Sequence, residues 1–523
     1  MAELQAISSN KTELNIAEEQ SIGVLLGTSG DIWVPHEPNG YDDLGGDITT
    51  APRKPIKSDR MGRKGPVVDV EAKAGFNTDF TYTNLFALLE GFLYSVARRK
   101  AEKINTAGTE ITAVTAATET FTVDADGADF LANDLVQAAG FTNSGNNGIF
   151  TVASSTATTV VVDEDVTVDE TPPTDASLVV VGHEFSSGDA EIATTSGFPT
   201  LTTTTKDLTE LGILPGETVY IGGDGATEKF FNAANNGYAR VRSVAANVMT
   251  FDKTSATMVT DDGTIDGAGG AGQTIRIFLG RLLKNEVGSL IVRKTFTIER
   301  QLGAPNDSNP GDVQAEYVTG AVCSELAINI PEAEKVTADL SFMGLDHETV
   351  AAGALKAGTR QTLLAEDAFN SSSSVPRIKI NVVSATDSFP SPLFAQIGEL
   401  TLSVNNNLSR NLAIGTTGAF EMSEGDFGVQ LELEPFFANV SALASVRAND
   451  DLTVDFSLYN ANKGVSFDIP LLAGSGALAN VEADTPIKLP LTSEGANGID
   501  VDSTLNHILA AVFFDYLPTA AAT

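Results

Sequence analysis

Between residues 316 and 344 the chain alternates between apolar and polar side chains, in the segment "EYVTGAVCSELAINIPEAEKVTADLSFMG". The apolar residues fall on one face of an extended chain: Val318, Val322, Leu326, Ile328, Ile330, Val336, Leu340 and Phe342. The polar residues fall on the other face: Thr319, Glu325, Asn329, Thr337, Asp339 and Ser341. A period of two predicts strands of a sheet that is buried on one side and wet on the other.

The charge of the chain argues against binding nucleic acid through its phosphates. The formal net charge is −37, from 69 acidic and 32 basic residues. A phosphate-reading surface needs clustered lysine and arginine, and this composition favours the opposite sign. Such a charge keeps a particle dispersed by self-repulsion, or repels DNA.

Residues that could catalyse a reaction or bind a metal do not form a recognisable group. Four histidines are scattered without partners at ligand spacing: His36, His183, His347 and His507. The only cysteine, Cys323, falls on the predicted wet face and cannot form an internal disulfide. The acidic loop 124–129 lacks the further ligands of a calcium loop, so a hairpin turn is favoured there. We expect no cofactor, no metal site and no enzymatic activity.

Signals for export or membrane insertion are not evident in the sequence. The first twenty residues contain no apolar core of signal-peptide length. The longest strongly apolar run, "HILAAVFF", is too short to span a bilayer. We expect a protein that is made in the cytosol, is not exported by the usual route and has no membrane-spanning segment.

Composition divides the chain into segments, of which the first is irregular. Residues 1–66 are rich in Gly and Pro and are predicted to form an N-terminal arm and loop. A strand, "PVVDVEAKAGF", then leads into an amphipathic helix with Asn84 as N-cap and "ARRK" at its end. The apolar stripe of this helix is Leu85, Leu88, Leu89, Phe92 and Val96. Residues 67–104 and 281–350 are predicted to form one unit.

An insertion separates the two parts of this unit. Residues 105–280 carry 24 acidic and 6 basic residues, about half of the net charge of the chain. Within it, 133–163 aligns with 216–252, and both contain Asn-Asn-Gly between strands. Asn-Gly pairs suit hairpin turns. We predict two small all-β modules, 105–187 and 188–280, in which Tyr220, Tyr238 and Phe251 are core residues.

The remaining chain repeats the order of the first unit. A linker over 351–375 contains a serine run. Residues 376–523 then show an alternating strand, a short helix with Val440, Leu443 and Ala444 as its stripe, and further strands. The predicted architecture is mainly β: a β-sandwich plus short helix, duplicated in one chain, with inserted modules.

Three segments resemble the tail-tube (major tail) proteins of long-tailed, non-contractile bacteriophages. They are "GPVVDVEAKAGFNTDFTYTNLFALLEGFLYS", "KTFTIER…EYVTGAVCSELAINIPEAEKVTADLSFMG" and "IGELTLSVNNNLSRNLAIG…GDFGVQLELE". The resemblance covers about 300 residues and rests on the order of soft strand motifs. The 105–280 insertion departs from the minimal pattern of the family.

The resemblance implies a structural subunit of a virion tail, assembled in the host cytoplasm. Such folds form rings of six around a channel, so a duplicated chain implies three chains per ring. The implied partners are other copies of this chain, the tape-measure, terminator and baseplate or tip proteins, and phage DNA that passes without specific binding.

Two groups of residues are candidates for function within such a tube. Carboxylates on the predicted wet faces are candidates for the channel lining, although a solvated outer face explains them equally well: Glu325, Asp339, Glu432, Glu434 and Asp455. A basic run is a candidate for an arm that docks on an acidic neighbour, with a solvated loop or a nucleic-acid contact as alternatives: Arg53, Lys54, Lys57, Arg60, Arg63 and Lys64.

Two other classes of protein remain as alternatives. A surface-exposed β-rich adhesin or capsid decoration protein would bind a host ligand through the inserted modules. A hydrolase on a β scaffold would need a nucleophile, a base and oxyanion donors, and no such constellation emerges from the sequence.

Overall fold

The computed structural model describes residues 7–27, 30–54, 56, 58, 61–164, 168–194, 197–264, 273–305, 309–351, 353–394, 396–437, 439–476, 478–481 and 483–522. The first elements are β1 (Glu13–Glu18), β2 (Ile32–His36), β3 (Pro38–Thr50), β4 (Val67–Asp79) and α1 (Phe86–Leu93). The insertion follows, with β5 (Glu102–Ile104), β6 (Ile111–Thr115), β7 (Thr120–Val123), β8 (Asp134–Ala139), β9 (Gly148–Thr156), β10 (Thr159–Val162), β11 (Ser177–Phe185), β12 (Glu191–Ala193), β13 (Thr200–Thr202), β14 (Thr218–Ile221), β15 (Gly237–Ala245), β16 (Val248–Thr254) and β17 (Ile275–Phe278).

The chain then returns to the frame from which it left. Its strands are β18 (Arg281–Lys284), β19 (Thr295–Gly303), β20 (Gln314–Ile330), β21 (Thr337–Gly344), β22 (Asp346–Val350) and β23 (Thr359–Arg360). The last part contains β24 (Arg377–Val382), β25 (Ile397–Asn405), β26 (Ser409–Leu412), β27 (Ala419–Ser423), β28 (Gly428–Pro435), α2 (Val440–Ala448), β29 (Leu452–Asn460), β30 (Lys463–Gly476), β31 (Leu491–Ala496) and β32 (Ala510–Phe514). The mainly β prediction is confirmed.

Two halves of the frame share one strand topology. The first half pairs β1 with β19, β3 with β4, β4 with β21, β19 with β20, β20 with β21 and β20 with β22. The second half makes the corresponding six antiparallel pairs, β24 with β29, β25 with β28, β28 with β31, β29 with β30, β30 with β31 and β30 with β32. A short helix follows β4 in one half and β28 in the other.

The correspondence extends to individual residues. Val322 opposes Met343 across β20 and β21, and Ala473 opposes Glu494 across β30 and β31. Both members of the pair are displaced by 151 residues between the halves. The β19–β20 and β29–β30 hairpins also carry a register shift near the same place, after Phe296 and after Leu452. The second half therefore repeats the first strand by strand.

The alternation of β20 holds only in its C-terminal third. From Glu325 to Ile330 exposed or half-buried residues alternate with buried ones, as predicted, whereas residues 315–324 are buried throughout. A register shift between Cys323 and Glu325 inserts one residue into the strand. Because one extra residue moves every later side chain to the opposite face, Cys323 lies in the core and not on the wet face. Its thiol is fully buried beside α1.

The first helix is shorter than predicted. It begins at Phe86 after Leu85, which makes no side-chain cap bond, so Asn84 is not the N-cap. Tyr94 adopts the left-handed conformation at φ 47° and ends the helix, which leaves Val96 half exposed and "ARRK" outside it. The four predicted stripe residues before Tyr94 are buried. One face of the stripe was therefore correct, and both ends were wrong.

The second helix turns a different face to the core than predicted. Asn439 caps it by accepting a hydrogen bond from the Ser441 amide. Val440 and Ala444 are exposed, whereas Ala442 is buried and Leu443 and Val446 pack beside it. The helix lies at the surface, where the few apolar residues in contact do not form a regular stripe.

The insertion forms its own 13-stranded sheet with two separate cores. The strands β6–β10 belong to one module and β12–β16 to the other, and the pairing of β11 with β17 joins them. As predicted, Tyr220, Tyr238 and Phe251 are buried. The insertion therefore consists of two small all-β modules that share a sheet.

The repeated Asn-Asn-Gly motif locks a loop and does not make a hairpin turn. In each copy the second asparagine donates to two backbone carbonyls and accepts one amide, and the two sets of partners correspond: Asn147 with Phe141 and Asn143, and Asn236 with Phe230 and Asn232. The first asparagine, Asn146 or Asn235, is fully buried. Only the glycine has positive φ, so the hairpin prediction is wrong, although the repeat is real.

A buried ionic cluster fastens the second module to the frame. The guanidinium of Arg240 on β15 donates to both carboxylate oxygens of Asp252, at 2.8 Å each, and to Asp468 on β30 at 2.8 Å. The Lys253 ammonium also pairs with Asp468. Although burial opposes ionisation, these two cations lower the pKa of Asp468 from 3.8 to about 2. Charges buried in this way must stay paired, so the cluster fixes the module against β30.

Candidate functional site

Eight strands of the frame follow one another in one sheet that spans both halves. Their order is β3, β4, β21, β20, β25, β28, β31 and the C-terminal end of β30. The pairing of β20 with β25 joins the halves, from Glu325 opposite Asn405 to Ile330 opposite Leu400. One face of this sheet carries the buried apolar residues of the main core. The other face is the polar face.

Opposed residues of the polar face form rows across the sheet. One row crosses six strands as Asn77, Asp339, Ala327, Ser403, Gln430 and Glu494. The next row crosses them as Asp79, Thr337, Asn329, Thr401, Glu432 and Thr492. The face is therefore continuous from the first half to the second.

Amide side chains hold the carboxylates of this face in place. The Asp339 carboxylate accepts hydrogen bonds from Asn77 Nδ2 at 2.6 Å and from Asn329 Nδ2 at 2.7 Å. Thr401 Oγ1 donates to Asn329 Oδ1 at 3.2 Å, and Asn405 Nδ2 donates to Glu325 Oε1 at 2.7 Å. These bonds orient negative charge without neutralising it.

The polar face carries more carboxylates than lysines. Three lysines pair there: Lys73 with Glu71 at 3.0 Å, Lys335 with Asp79 at 2.6 Å and Lys488 with Glu434 at 2.9 Å. Among the described residues, five further carboxylates on this face have no lysine or arginine partner: Glu325, Asp339, Glu399, Glu432 and Glu494. The face is therefore net negative.

The ion pairs at the rim of the face have the expected effect on the titration of their members. Burial would raise the pKa of Asp79, but bonds from Asn39 and Lys335 outweigh it and leave that pKa below its ordinary value. The bond to Glu434 raises the pKa of Lys488. Both pairs stay charged around neutral pH, so they contribute no net charge to the face.

Four of the five predicted lining residues lie on the polar face. Glu325 and Glu432 are exposed, and Asp339 and Glu434 are half-buried. Asp455 lies elsewhere, on β29, which is buried along its length from 452 to 459. Its carboxylate pairs with the Arg377 guanidinium beneath the second module. The alternating pattern of β29 did not reveal that the insertion covers its polar side.

The basic run forms a hairpin that extends from β3 and β4. The Ala51 amide donates to the Pro66 carbonyl and the Arg63 amide to the Arg53 carbonyl, both at 3.0 Å. The described residues at its tip are exposed, among them Lys54, Lys64 and the apolar Ile56. Lys57 and Arg60 lie outside the described residues. We call residues 51–66 the basic arm.

A second projecting hairpin was not predicted. The strands β26 and β27 form a separate two-stranded sheet between β25 and β28, with Leu412, Ile414 and Phe420 exposed. It occupies the place in the second half that the basic arm has in the first, since β25 and β28 correspond to β3 and β4. The turn residues "GTTG" between two short apolar runs were the sequence signal for it. We call residues 406–427 the second arm.

The inserted modules show no ligand site of the kinds considered from the sequence. In the acidic loop, the Lys103 ammonium lies 2.6 Å from Asp124 and 3.5 Å from Asp126 and occupies the position between these carboxylates. No group of three or more potential metal ligands occurs within the described part of the chain. None of its helices is long and apolar enough to cross a bilayer.

Comparison with known families agrees with this architecture. The model of the phage tail tube protein family matches residues 9–495, nearly the whole chain including the insertion. The chain belongs to the phage tail tube protein family. It is thus a structural subunit of a virion tail, and membership implies self-association and contacts with other tail components. No curated protein matches the chain.

Proposed function

We propose that this tail tube protein forms the tube of a non-contractile tail, with three chains per ring and pseudo-sixfold symmetry. The observation that carries the proposal is the repeated topology, in which each half supplies four strands to one eight-stranded sheet. Three chains then supply 24 strands, and closure into a barrel removes the sheet edges. At a strand spacing of about 4.8 Å and a tilt of about 35–45°, such a barrel has a backbone radius of about 22–26 Å, which admits a DNA duplex.

The polar face lines the channel in this proposal. Its buried opposite face already packs on the core and cannot face a second solvent compartment. Carboxylates held by amide bonds give the wall a fixed negative potential, which keeps phosphates from binding. DNA therefore passes through the ring without specific contacts.

The two arms and the insertion take the remaining roles. The basic arm docks on the acidic surface of a chain in the neighbouring ring, through complementary charge and its exposed apolar tip. The insertion faces outward, because modules of this size would block the channel. The tape-measure, terminator and baseplate or tip proteins are the other partners, and assembly takes place in the host cytoplasm.

Electron microscopy of the purified protein tests the proposal. We expect hollow tubes with a regular axial repeat, and a mass per ring of three chains. Six chains per ring, each contributing one fold to the wall, would contradict the trimer. Persistent monomers that bind glycans through the modules would instead support the adhesin or decoration alternative.

A further inference from the structure

The junction between the two halves is a pattern for a contact between chains. At this junction the end of β20 pairs antiparallel with β25 over six residue pairs. Its pairs also bond through side chains on the polar face, Thr401 Oγ1 to Asn329 Oδ1 and Asn405 Nδ2 to Glu325 Oε1. The junction therefore has a defined register and a defined face.

The strands that correspond to β20 and β25 each leave one edge open. A displacement of 151 residues places the end of β20, Glu325–Ile330, at residues 476–481 after β30. The pairing with β4, compared with that of β25 with β28, places Leu400–Asn405 at Tyr41–Asp47 of β3. Within the described residues, β3 pairs only with β4, and 478–481 pairs only through the bridge of Asn480 with Lys488.

Exposure at these two edges is unusual for residues of their type. Leu478 and Val481 are 83% and 69% exposed, and Ile48 at the end of β3 is 58% exposed. At the internal junction the apolar residues Ile328, Ile330 and Leu400 are buried. Unpaired strand edges with exposed apolar residues invite another strand.

We propose that the segment 476–481 of one chain pairs antiparallel with 41–47 of β3 in the next chain, in the register of the internal junction. Asn480 then opposes Asp42, as Asn329 opposes Thr401, and Leu478 opposes Gly45, as Ala327 opposes Ser403. The occupant of each edge is a second copy of this chain. The inference rests on the proposed function, since it specifies the contact that closes the ring.

Disulfide trapping tests this register. In a Cys323→Ala background, the double variant Asn480→Cys and Asp42→Cys places the two thiols on the same face of directly opposed residues. The matched control, Asn480→Cys with Asp43→Cys, shifts one thiol by a single position. After mild oxidation of assembled rings, we expect the first variant to give covalently closed rings on a non-reducing gel. We expect the control to stay largely monomeric.

Amide hydrogen exchange of the unmodified protein gives an independent readout. Residues 41–47 and 478–481 should exchange at least about 100-fold more slowly in tubes than in the free chain, since new backbone hydrogen bonds form there. Rings that assemble without protection of these segments, and without the Asn480–Asp42 cross-link, would overturn the proposed contact and leave the proposed function standing. Failure of the unmodified chain to form any ring would overturn both.

Discussion

Replacing Asp468 by asparagine should loosen the second module from the frame. The side chain is 1% exposed, and its carboxylate is the shared partner of Arg240 and Lys253. The change keeps the size of the side chain but leaves two cations with one remaining carboxylate, Asp252. Breaking a buried ion pair on one side costs about 3–5 kcal/mol.

The pKa of Asp468 gives a second measure of the same interaction. Its decrease from 3.8 to about 2 corresponds to about 2 kcal/mol of stabilisation by the charged form. Because the pKa is lower in the folded state, this stabilisation is complete above about pH 4 and is lost as the pH falls towards 2. Protonation costs less than substitution because the bonded geometry is kept.

Hydrogen exchange of the free chain measures the effect where it arises. We expect amides of β15, β16 and the first part of β30 to exchange at least about 100-fold faster in the Asp468→Asn variant, which is the ratio for about 3 kcal/mol. The control is Glu210→Gln, since Glu210 makes an exposed pair with Lys206 in the same module. That variant should change exchange by less than about threefold.

A double variant separates the ionic cluster from simple loss of packing. Lys253→Met combined with Asp468→Asn removes one charge of each sign and leaves Arg240 with its two bonds to Asp252. We therefore expect the double variant to be less destabilised than the sum of the single variants, by at least about 1 kcal/mol. Additive effects, or unchanged exchange in the single variant, would refute the ionic attachment.

Three further predictions concern the channel, the modules and the basic arm. Glu325→Lys with Asp339→Lys should leave tubes intact but reduce DNA delivery, measured as infectivity, whereas Glu191→Lys on the exposed edge of a module should not; equal infectivity would remove the lining claim. Asn235→Ala should destabilise its module by about 1–3 kcal/mol in thermal unfolding, since the Val259 amide and Asp261 lose a buried partner; an unchanged transition would contradict the loop lock. Ile56→Ser should leave the free chain as stable as before but shorten tubes seen by microscopy, and tubes of normal length would exclude a stacking role for the arm tip.

Local pattern predicted what local forces decide. The alternation of residues 325–330 and 337–344 and the core side of α1 follow from period and apolar spacing, and both were correct. The order of strands in the two halves was also readable, because each half repeats the same sequence of elements. The polar face was thus predictable for Glu325, Asp339, Glu432 and Glu434.

Long-range contacts decided the features that the sequence did not reveal. A bulge next to Cys323 moved that residue to the core, and no local pattern marks the extra residue. Burial of Asp455 depends on a module inserted some 200 residues earlier in the chain, and on Arg377 as its partner. The same holds for Asp468 and Arg240, which are 228 residues apart in the sequence.

Cryo-electron microscopy of assembled tubes at side-chain resolution tests the central claim most directly. We expect three chains per ring, a closed barrel of 24 strands, and Glu325, Asp339 and Glu432 pointing towards the axis. A map in which these carboxylates lie on the outer surface, or in which the eight-stranded sheet of each chain stays open without joining its neighbour, would contradict the account.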